Sequence, residues 1–437
     1  MKNWVKDVHF RSLLKNSGYL AASRVVIAIA GLASLALAGR GLGVLLLGTL
    51  ILITSYAKAA SGISKFQSWQ LIVRYGGQGM AEGDPDKFKT STGFAFALDV
   101  VSGIGGMLLA VLILPFINQW VGVDDKYLWV TMLYCTLLPT MGAATPTGVL
   151  RALDRFDLIS WQEASYQIVR AILSVVAFVA DAPFEAWLAI WYITDLGGDL
   201  YFWFLAWREL KRHDLLDGIT PTLRPTSLPG AWRFAINVNL TTTINTVWGP
   251  IGRLVVGGLL GPAGAALFRV ASSLADSAQK PADMLAKAFY PEIVRMDLTS
   301  KHPWRLMLRG TAVASVLALV AVLILLVGGK PLLNLVFGKE FIGAYAPLMV
   351  LIVVPLLGVL SFPLAPMLFA LGRSDGPLKA RLVGSATFLL IIAPLSWRFG
   401  VIGAALAYVI GNVVQVGLMM IHVWAEYRRV KAGTVAG

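Results

Sequence analysis

The sequence is poor in charged residues and in cysteine. Asp, Glu, Lys and Arg make up 14% of the 437 residues, whereas roughly a quarter of the residues in soluble domains are charged. The one cysteine, Cys135, excludes an internal disulfide and a cysteine-rich metal site. The four histidines are far apart, and no HExxH, P-loop or GxSxG motif is present. These absences argue against enzymes built on those motifs, and no cofactor is predicted.

Apolar residues are abundant instead. They make up 57% of the chain, and the mean hydropathy is +0.72. The net charge of +13 would suit a nucleic-acid partner. However, the basic residues lie mostly in short segments between apolar runs, where membrane topology explains them. We therefore expect a polytopic membrane protein that binds no nucleic acid. The first 16 residues are polar and basic, and the long apolar run after them predicts a retained first helix rather than a cleaved signal.

A membrane-spanning helix needs about 20 mostly apolar residues. The sequence predicts an all-α polytopic membrane protein with about twelve transmembrane helices in two six-helix lobes around a central cavity. The predicted spans are 16–38, 44–66, 92–116, 127–148, 161–180, 186–207, 233–257, 264–287, 306–327, 344–371, 381–397 and 401–424. The third, fourth and tenth contain internal Gly or Pro, which transporters tolerate where packing or water satisfies the backbone.

The distribution of Lys and Arg predicts the orientation. If the N-terminus is cytoplasmic, 25 basic residues lie in cytoplasmic segments and 5 in outer ones. This bias places both termini in the cytoplasm and the protein in the bacterial cytoplasmic (inner) membrane. The predicted domains are an N-terminal lobe, a cytoplasmic linker, a C-terminal lobe and a cytoplasmic tail, at 1–207, 208–232, 233–424 and 425–437.

Two similar turns suggest a duplication. Residues 40–48 read RGLGVLLLG after the first span, and residues 258–268 read GLLGPAGAALF after the seventh. Six spans per half favour parallel repeats about an axis along the membrane normal. A shift of 215 residues places Lys65 on Lys280.

Charged residues lie inside the predicted spans, where each costs roughly 2.5–3.5 kcal/mol at the bilayer centre. The basic ones are Arg24, Lys58, Lys65, Arg170, Arg253, Arg269 and Lys280, and the acidic ones include Asp99, Asp195, Asp199 and Asp276. Polar residues recur at helical spacing in the second, eighth and seventh spans, which predicts a wet face on each. The stripes are Thr54, Lys58, Ser61, Lys65 and Ser68; Arg269, Ser273, Asp276, Lys280 and Asp283; and Asn237, Thr241 and Asn245.

Because basic residues outnumber acidic ones in the spans, we expect an anionic substrate. Arg24 is predicted to bind phosphate in a water-accessible cavity. Alternatives remain for the other cations. Lys65 and Lys280 would snorkel to the cytoplasmic face, Arg253 and Arg269 would snorkel to the outer face, and Arg170 would pair with Asp195 or Asp199.

Several stretches together resemble one family. They are LAGRGLGVLLLGTL (37–50), RLVVGGLLGPAGAALFRVASSLADSAQKPADMLAKAFYPEIVRM (253–296), LLNLVFGKEFIGAYAPLMVLIVV (332–354), LFALGRSD (368–375) and RFGVIGAALAYVIGNVV (398–414). In order and spacing they are similar to the oligosaccharide flippases (the Wzx type) of the multidrug/oligosaccharidyl-lipid/polysaccharide exporter superfamily. The resemblance implies twelve helices in two lobes around a cationic cavity. It also implies transport of a polyprenyl-diphosphate-linked oligosaccharide from the inner to the outer leaflet for cell-surface polysaccharide biosynthesis.

Carried onto this sequence, the resemblance and the stripes predict three groups of site residues. The diphosphate is assigned to Arg24, Lys58, Arg269, Arg253, Lys65 and Lys280, the sugar to Asn237, Asn245 and Trp248, and coupling to Na⁺ or H⁺ to Asp99, Asp195 and Asp199. The expected partners are the lipid-linked oligosaccharide, the bilayer and polysaccharide assembly proteins. A multidrug or cation antiporter of the same superfamily is the first alternative. A membrane glycosyltransferase or polymer ligase is the second, although the short outer loops disfavour it.

Overall fold

The computed structural model of the chain describes residues 8–294, 302–370 and 375–431, and these residues form helices joined by short turns. The α-helices are α1 Val8–Ser64, α2 Trp69–Leu71, α3 Gly77–Glu82, α4 Pro85–Ile117, α5 Leu128–Cys135, α6 Ala144–Ala152, α7 Phe156–Val179, α8 Phe184–Arg212, α9 Ala231–Val294, α10 His302–Val336, α11 Tyr345–Leu351, α12 Val353–Ser361, α13 Leu364–Ala370 and α14 Asp375–Lys431. A π-helical turn, Ile72–Gly76, and two 3₁₀ turns, Asp125–Tyr127 and Lys339–Ala344, complete the secondary structure of this part of the chain.

Three of the long helices are broken by a glycine. The break lies at Gly43 in α1, at Gly261 in α9 and at Gly400 in α14. Gly43 has φ 71° and ψ 178°, and Gly261 has φ 73° and ψ 178°. This backbone region is open essentially to glycine alone, because a Cβ atom would clash there. The two Gly-rich turns singled out in the sequence therefore separate the first span from the second and the seventh from the eighth.

The shared break also corrects the register of the suspected repeat. Matching Gly43 with Gly261 gives an offset of 218 residues, three more than the 215 that aligned Lys65 with Lys280. At the new offset Lys58 corresponds to Asp276. The two halves thus share the same glycine break, while the matched position carries a basic residue in one half and an acidic residue in the other.

The predicted breaks in the fourth and tenth spans are confirmed. The fourth becomes α5 and α6, with Pro139 in the turn between them, and the tenth becomes α11, α12 and α13. The third span is different, because α4 is continuous through its glycine pair. A methyl group on Gly106 would lie 2.1 Å from the Ser64 hydroxyl oxygen, so this glycine allows α1 and α4 to approach closely.

Six helical stretches in the described ranges have the length and the composition needed to cross a membrane. They are Val26–Ser64, Pro85–Ile117, Trp248–Gln279, Ala314–Val336, Lys339–Leu368 and Gly376–Arg429. The last has 54 residues, which is more than twice the roughly 20 residues of one crossing. Together with α5 to α8, which are shorter or more charged, these helices overlap all twelve predicted spans. The predicted class, an all-α polytopic membrane protein, is confirmed.

The described chain packs as two units, Met1–Gly43 with Leu52–Leu254 and Val44–Ile51 with Val255–Gly437. The first turns of α9 therefore pack with the first unit, although the sequence assigned them to the C-terminal lobe. The Trp232 ring lies edge-on to the rings of Phe66 and Phe94, at centroid distances of 6.4 and 5.3 Å. Nearby, Leu228, Ala231 and Ala235 share an apolar cluster with Leu71, Phe94 and Leu98. The lobe boundary at 208–232 stays a prediction.

Candidate functional site

The first unit contains a cavity of about 270 Å³. We call it the first-unit cavity. Its walls come from α1, from the turn between α5 and α6, and from α6, α7 and α8. The lining residues are Lys58, Met141, Gly142, Ala143, Thr147, Gln162, Glu163, Tyr166, Asp195, Gly198, Asp199 and Phe202.

Helical spacing explains why α7 and α8 present polar side chains together. Gln162 and Tyr166 are four residues apart on α7, and Asp195 and Asp199 are four residues apart on α8, so each pair lies on one face. The Gln162 side-chain amide donates a 2.8 Å hydrogen bond to the Gly198 carbonyl. This bond joins the two helices at the wall of the cavity and fixes the position of its polar face.

Lys58 brings the basic charge to the cavity. It lies on α1, six residues before the helix ends at Ser64, and its side chain is exposed. Three carboxylates, those of Glu163, Asp195 and Asp199, line the same space. The cationic cavity that the resemblance implies is a central one between two lobes, and it stays a prediction; the first-unit cavity itself is lined by one basic and three acidic side chains. The lysines and arginines counted along the spans are distributed over many helices, so their number in the sequence does not predict the charge of one cavity.

One of the three carboxylates belongs to a buried ion pair. The Arg170 guanidinium pairs with Asp195, and its Nε donates a 2.8 Å hydrogen bond to the Thr194 hydroxyl. The Tyr134 hydroxyl donates a 2.6 Å hydrogen bond to the other Asp195 oxygen. The alternative in which Arg170 neutralises Asp195 on the neighbouring helix is therefore confirmed. Within the part of the chain that the structure describes, Glu163 and Asp199 form no hydrogen bond or ion pair.

A second polar group in the first unit is closed to solvent. We call it the buried node, and it consists of Asp99, Ser68, Thr145 and Lys65. Asp99 is 1% exposed and accepts three hydrogen bonds of 2.7 to 2.8 Å. The donors are the Ser68 hydroxyl and both the backbone N–H and the hydroxyl of Thr145. All of these are donors to carboxylate oxygens, which is the pattern that an ionised carboxylate accepts.

Lys65 in this node is also fixed in place. It is 5% exposed, and its ammonium donates to the carbonyls of Pro139 and Met141 at 3.0 and 2.7 Å. The alternative in which Lys65 snorkels to the membrane surface is wrong. The ammonium instead holds the turn between α5 and α6 against the end of α1. The helical hydrogen-bond pattern is interrupted in this turn, and Lys65 supplies the donors for two of its carbonyls.

The remaining predicted residues lie elsewhere. Arg253 on α9 donates from Nε to the Ser55 hydroxyl at 2.8 Å, within the first unit. Arg269 lies on α9 in the second unit. Asn237 is exposed on α9, Trp248 is half-buried, and neither lines the first-unit cavity. Arg24, Asn245 and Lys280 fall in α1 and α9, and their side chains lie outside the described residues.

Sequence reasoning missed several residues of the cavity. Gln162, Glu163, Tyr166, Thr147 and Phe202 line the cavity but were not among the predicted site residues. For α7 and α8 the signal was present in the four-residue spacing. The turn between α5 and α6 gave no such signal, because its place in the wall depends on the contact with Lys65. Among the described residues, no three His, Cys, Asp or Glu side chains are arranged to hold a metal ion.

The amino-acid sequence is similar to that of known membrane proteins. Residues 13–297 match the family described as "Polysaccharide biosynthesis protein". The chain is 40% identical over 348 residues to the inner membrane protein YghQ of Escherichia coli (strain K12). That alignment covers 79% of this chain and 98% of YghQ.

Solved structures share the fold at low identity. One is an inward-facing multidrug resistance transporter of the MATE family and the MOP superfamily, with TM-score 0.71, 15% identity and coverage of 94% of this chain and 96% of that one. Another is the lipid II flippase MurJ in an inward closed conformation, with TM-score 0.72, 13% identity and coverage of 92% and 87%. The chain therefore belongs to the polysaccharide biosynthesis protein family, and its resemblance to the Wzx-type flippases is confirmed.

Proposed function

We propose that this membrane transporter flips a polyprenyl-diphosphate-linked oligosaccharide from the cytoplasmic to the outer leaflet by alternating access. In this proposal both termini are cytoplasmic and the lipid tail stays in the bilayer while the headgroup crosses. The diphosphate is bound in turn by basic side chains of the spans, namely Arg24, Lys58, Arg253, Arg269 and Lys280. Lys65 is left out of this group, because it is buried and donates to the Pro139 and Met141 carbonyls. Asn237, Asn245 and Trp248 contact the sugar chain. The product serves cell-surface polysaccharide biosynthesis, together with the assembly proteins that use it.

The observation that carries the proposal is Lys58. An ammonium group within an apolar spanning helix costs roughly 2.5–3.5 kcal/mol, so a protein retains it where it faces water, a partner or a substrate. Lys58 is exposed and lines a cavity. A phosphate oxygen that enters this space meets the exposed ammonium group of Lys58. The membership of the chain in a polysaccharide biosynthesis family supports a lipid-linked saccharide as the molecule that carries the phosphate.

Ion coupling is part of the proposal. Of the three predicted acids, Asp99 already accepts three hydrogen bonds and Asp195 is paired with Arg170. Asp199 lines the cavity without a hydrogen bond in the described part of the chain. Of the three acids, Asp199 is therefore the one that could bind either a coupling ion or part of the substrate, and its variants distinguish these two roles.

A second function is favoured by a different observation. Three carboxylates line the first-unit cavity, and a cation or multidrug antiporter would use such acids to bind its substrate. The fold is shared with a MATE family multidrug transporter, so it is compatible with both functions. Lys58 in the same wall opposes this reading, because an organic cation would be repelled by it.

Reconstitution distinguishes the two. Purified protein in liposomes is given a fluorescent polyprenyl-diphosphate oligosaccharide, and the fraction that reaches the opposite leaflet is followed against protein-free liposomes. In parallel, ethidium movement is measured in the same vesicles. We expect flipping without ethidium transport, and Arg24→Ala should slow flipping without loss of fold. Ethidium transport with no flipping would overturn the proposal.

A further inference from the structure

The first-unit cavity has a composition that suits a sugar ring. It presents carboxylate oxygens that only accept, an ammonium that only donates, and amide and hydroxyl groups that do both. A sugar ring carries hydroxyl groups that are both donors and acceptors and are spread around its edge. The polar groups of the cavity are likewise spread over α1, α6, α7 and α8, so they surround a volume rather than a point.

Glu163 and Asp199 are the main argument. Both line the cavity, and neither carboxylate accepts a hydrogen bond from another described residue. A carboxylate at a cavity wall without a donor is an acceptor available to a ligand, since polar groups away from bulk water need partners. The third carboxylate, Asp195, differs, because its oxygens are occupied by Arg170 and Tyr134.

A metal ion or a small cation fits less well. No three acidic or histidine side chains among the described residues converge on one point, as a metal ion would require. Lys58 stands in the same wall and would oppose any cation. The volume of about 270 Å³ is at the small end for ligand sites, which start at roughly 300 Å³ for drug-sized molecules. It therefore suits one monosaccharide better than a chain.

We propose that the first-unit cavity is a subsite for a single uncharged sugar of the lipid-linked substrate. Glu163 and Asp199 accept hydrogen bonds from the sugar hydroxyls, and Tyr166 and Phe202 supply apolar surface for its C–H face. The same two carboxylates reject an acidic sugar, because like charges placed side by side across an interface repel each other. This inference rests on the proposed flipping function and adds the class of sugar that the protein prefers.

The test compares two lipids in the same proteoliposomes. One is polyprenyl-diphosphate carrying N-acetylglucosamine, and the other is the same lipid carrying glucuronic acid. Each has a vicinal diol, so a membrane-impermeant periodate reports the fraction of headgroup on the outer side. The wild-type protein should flip the uncharged lipid about tenfold faster than the acidic one. The Glu163→Gln/Asp199→Asn variant should lose most of this preference, through slower flipping of the neutral lipid and faster flipping of the acidic one.

Matched controls use carboxylates outside the cavity. Glu185→Gln changes an exposed glutamate in the first turn of α8, and Asp181→Asn changes an exposed aspartate in the turn before it. Both should keep the wild-type preference. If the double variant fails to fold, Glu163→Gln alone should show a smaller shift in the same direction.

The outcomes separate the two proposals. Equal wild-type rates for both lipids would overturn the sugar subsite while flipping itself stands. An equal loss of both rates in the variant would assign the carboxylates to ion coupling and would also overturn it. If the wild-type protein flips neither lipid, the proposed flipping function is contradicted, and the sugar subsite that rests on it is contradicted as well.

Discussion

The first unit contains two clusters of charged and polar side chains, the buried node and the first-unit cavity. They differ in how many of their side chains have hydrogen-bond partners within the protein. In the buried node, Asp99 accepts three hydrogen bonds and Lys65 donates two, and both residues are almost inaccessible to solvent. In the first-unit cavity, Lys58 is exposed, and Asp199 has no hydrogen bond in the described part of the chain. Both groups put charges into membrane-spanning helices, yet only the second has a carboxylate, Asp199, that accepts no hydrogen bond from the described residues.

This difference shows how a charge within a span is to be interpreted. The usual expectation is that an intramembrane ionisable residue is functional. Lys58 lies on α1 and Lys65 directly follows the last residue of that helix, and both were predicted to bind the diphosphate. The structure separates them, because Lys65 supports a proline-containing turn. We therefore expect variants of the node to change stability and variants of the cavity to change transport.

The largest effect on stability is expected at Asp99. Asp99→Ala leaves the Thr145 N–H and two hydroxyls without an acceptor inside the protein, and it removes the counter-charge of Lys65. Loss of one member of a buried charged network costs about 3–5 kcal/mol. Thermal unfolding can be followed with a thiol-reactive dye, because Cys135 is buried and the sequence has no other cysteine.

Asp199→Ala is the matched control for Asp99→Ala. It removes a carboxylate from the wall of the cavity and should leave the melting temperature close to that of the wild type. If Asp199→Ala lowers the melting temperature as much as Asp99→Ala does, then the cavity carboxylate is as important for stability as the buried node, which would contradict the distinction.

A smaller effect is expected at Lys65. Lys65→Met keeps the length of the side chain and removes the donors to the Pro139 and Met141 carbonyls. A buried acceptor that is left without a donor lowers the free energy of unfolding by about 1–3 kcal/mol. The same melting assay should show a clear loss for Lys65→Met. If Lys65→Met melts like the wild type but stops flipping, Lys65 belongs to the transport site after all.

The smallest effect is expected at an ion pair outside the spans. Arg155 donates to Asp157 at 2.9 Å and also pairs with the buried Glu209. The hydrogen bond from Arg155 lowers the pKa of Asp157. Because Asp157 is partly exposed, Asp157→Asn should cost less than about 1 kcal/mol at neutral pH, and Arg155 keeps its second partner.

The pH dependence of this pair has a definite sign. The pKa of Asp157 is lower in the folded state, so its stabilisation is complete above the ordinary pKa of an aspartate and is lost as the pH falls through the lowered value. The melting temperatures of wild type and Asp157→Asn should therefore converge in acid. A difference that grows as the pH falls would contradict the assignment.

Much of the fold was predictable from the sequence. The length of the apolar runs, the glycines of the two similar turns and the prolines of the fourth and tenth spans predicted helices and breaks that the structure contains. The helical spacing of Asp195 and Asp199 predicted a shared face. The sequence could not predict which charged side chains have hydrogen-bond partners within the protein, because those partners are distant along the chain. Thr145 reaches Asp99 across 46 positions, and Pro139 and Met141 reach Lys65 across more than 70.

The flipping rate of the Lys58→Ala variant tests the central claim most directly. Wild type, Lys58→Ala and the control Lys126→Ala, an exposed lysine in a turn, are reconstituted at equal amounts with a polyprenyl-diphosphate sugar. If Lys58 binds the passing phosphate, Lys58→Ala should flip about tenfold more slowly while its melting temperature and the rate of the control stay unchanged, since charged hydrogen bonds contribute about 1.5–3 kcal/mol. Wild-type flipping by a well-folded Lys58→Ala protein would contradict the account.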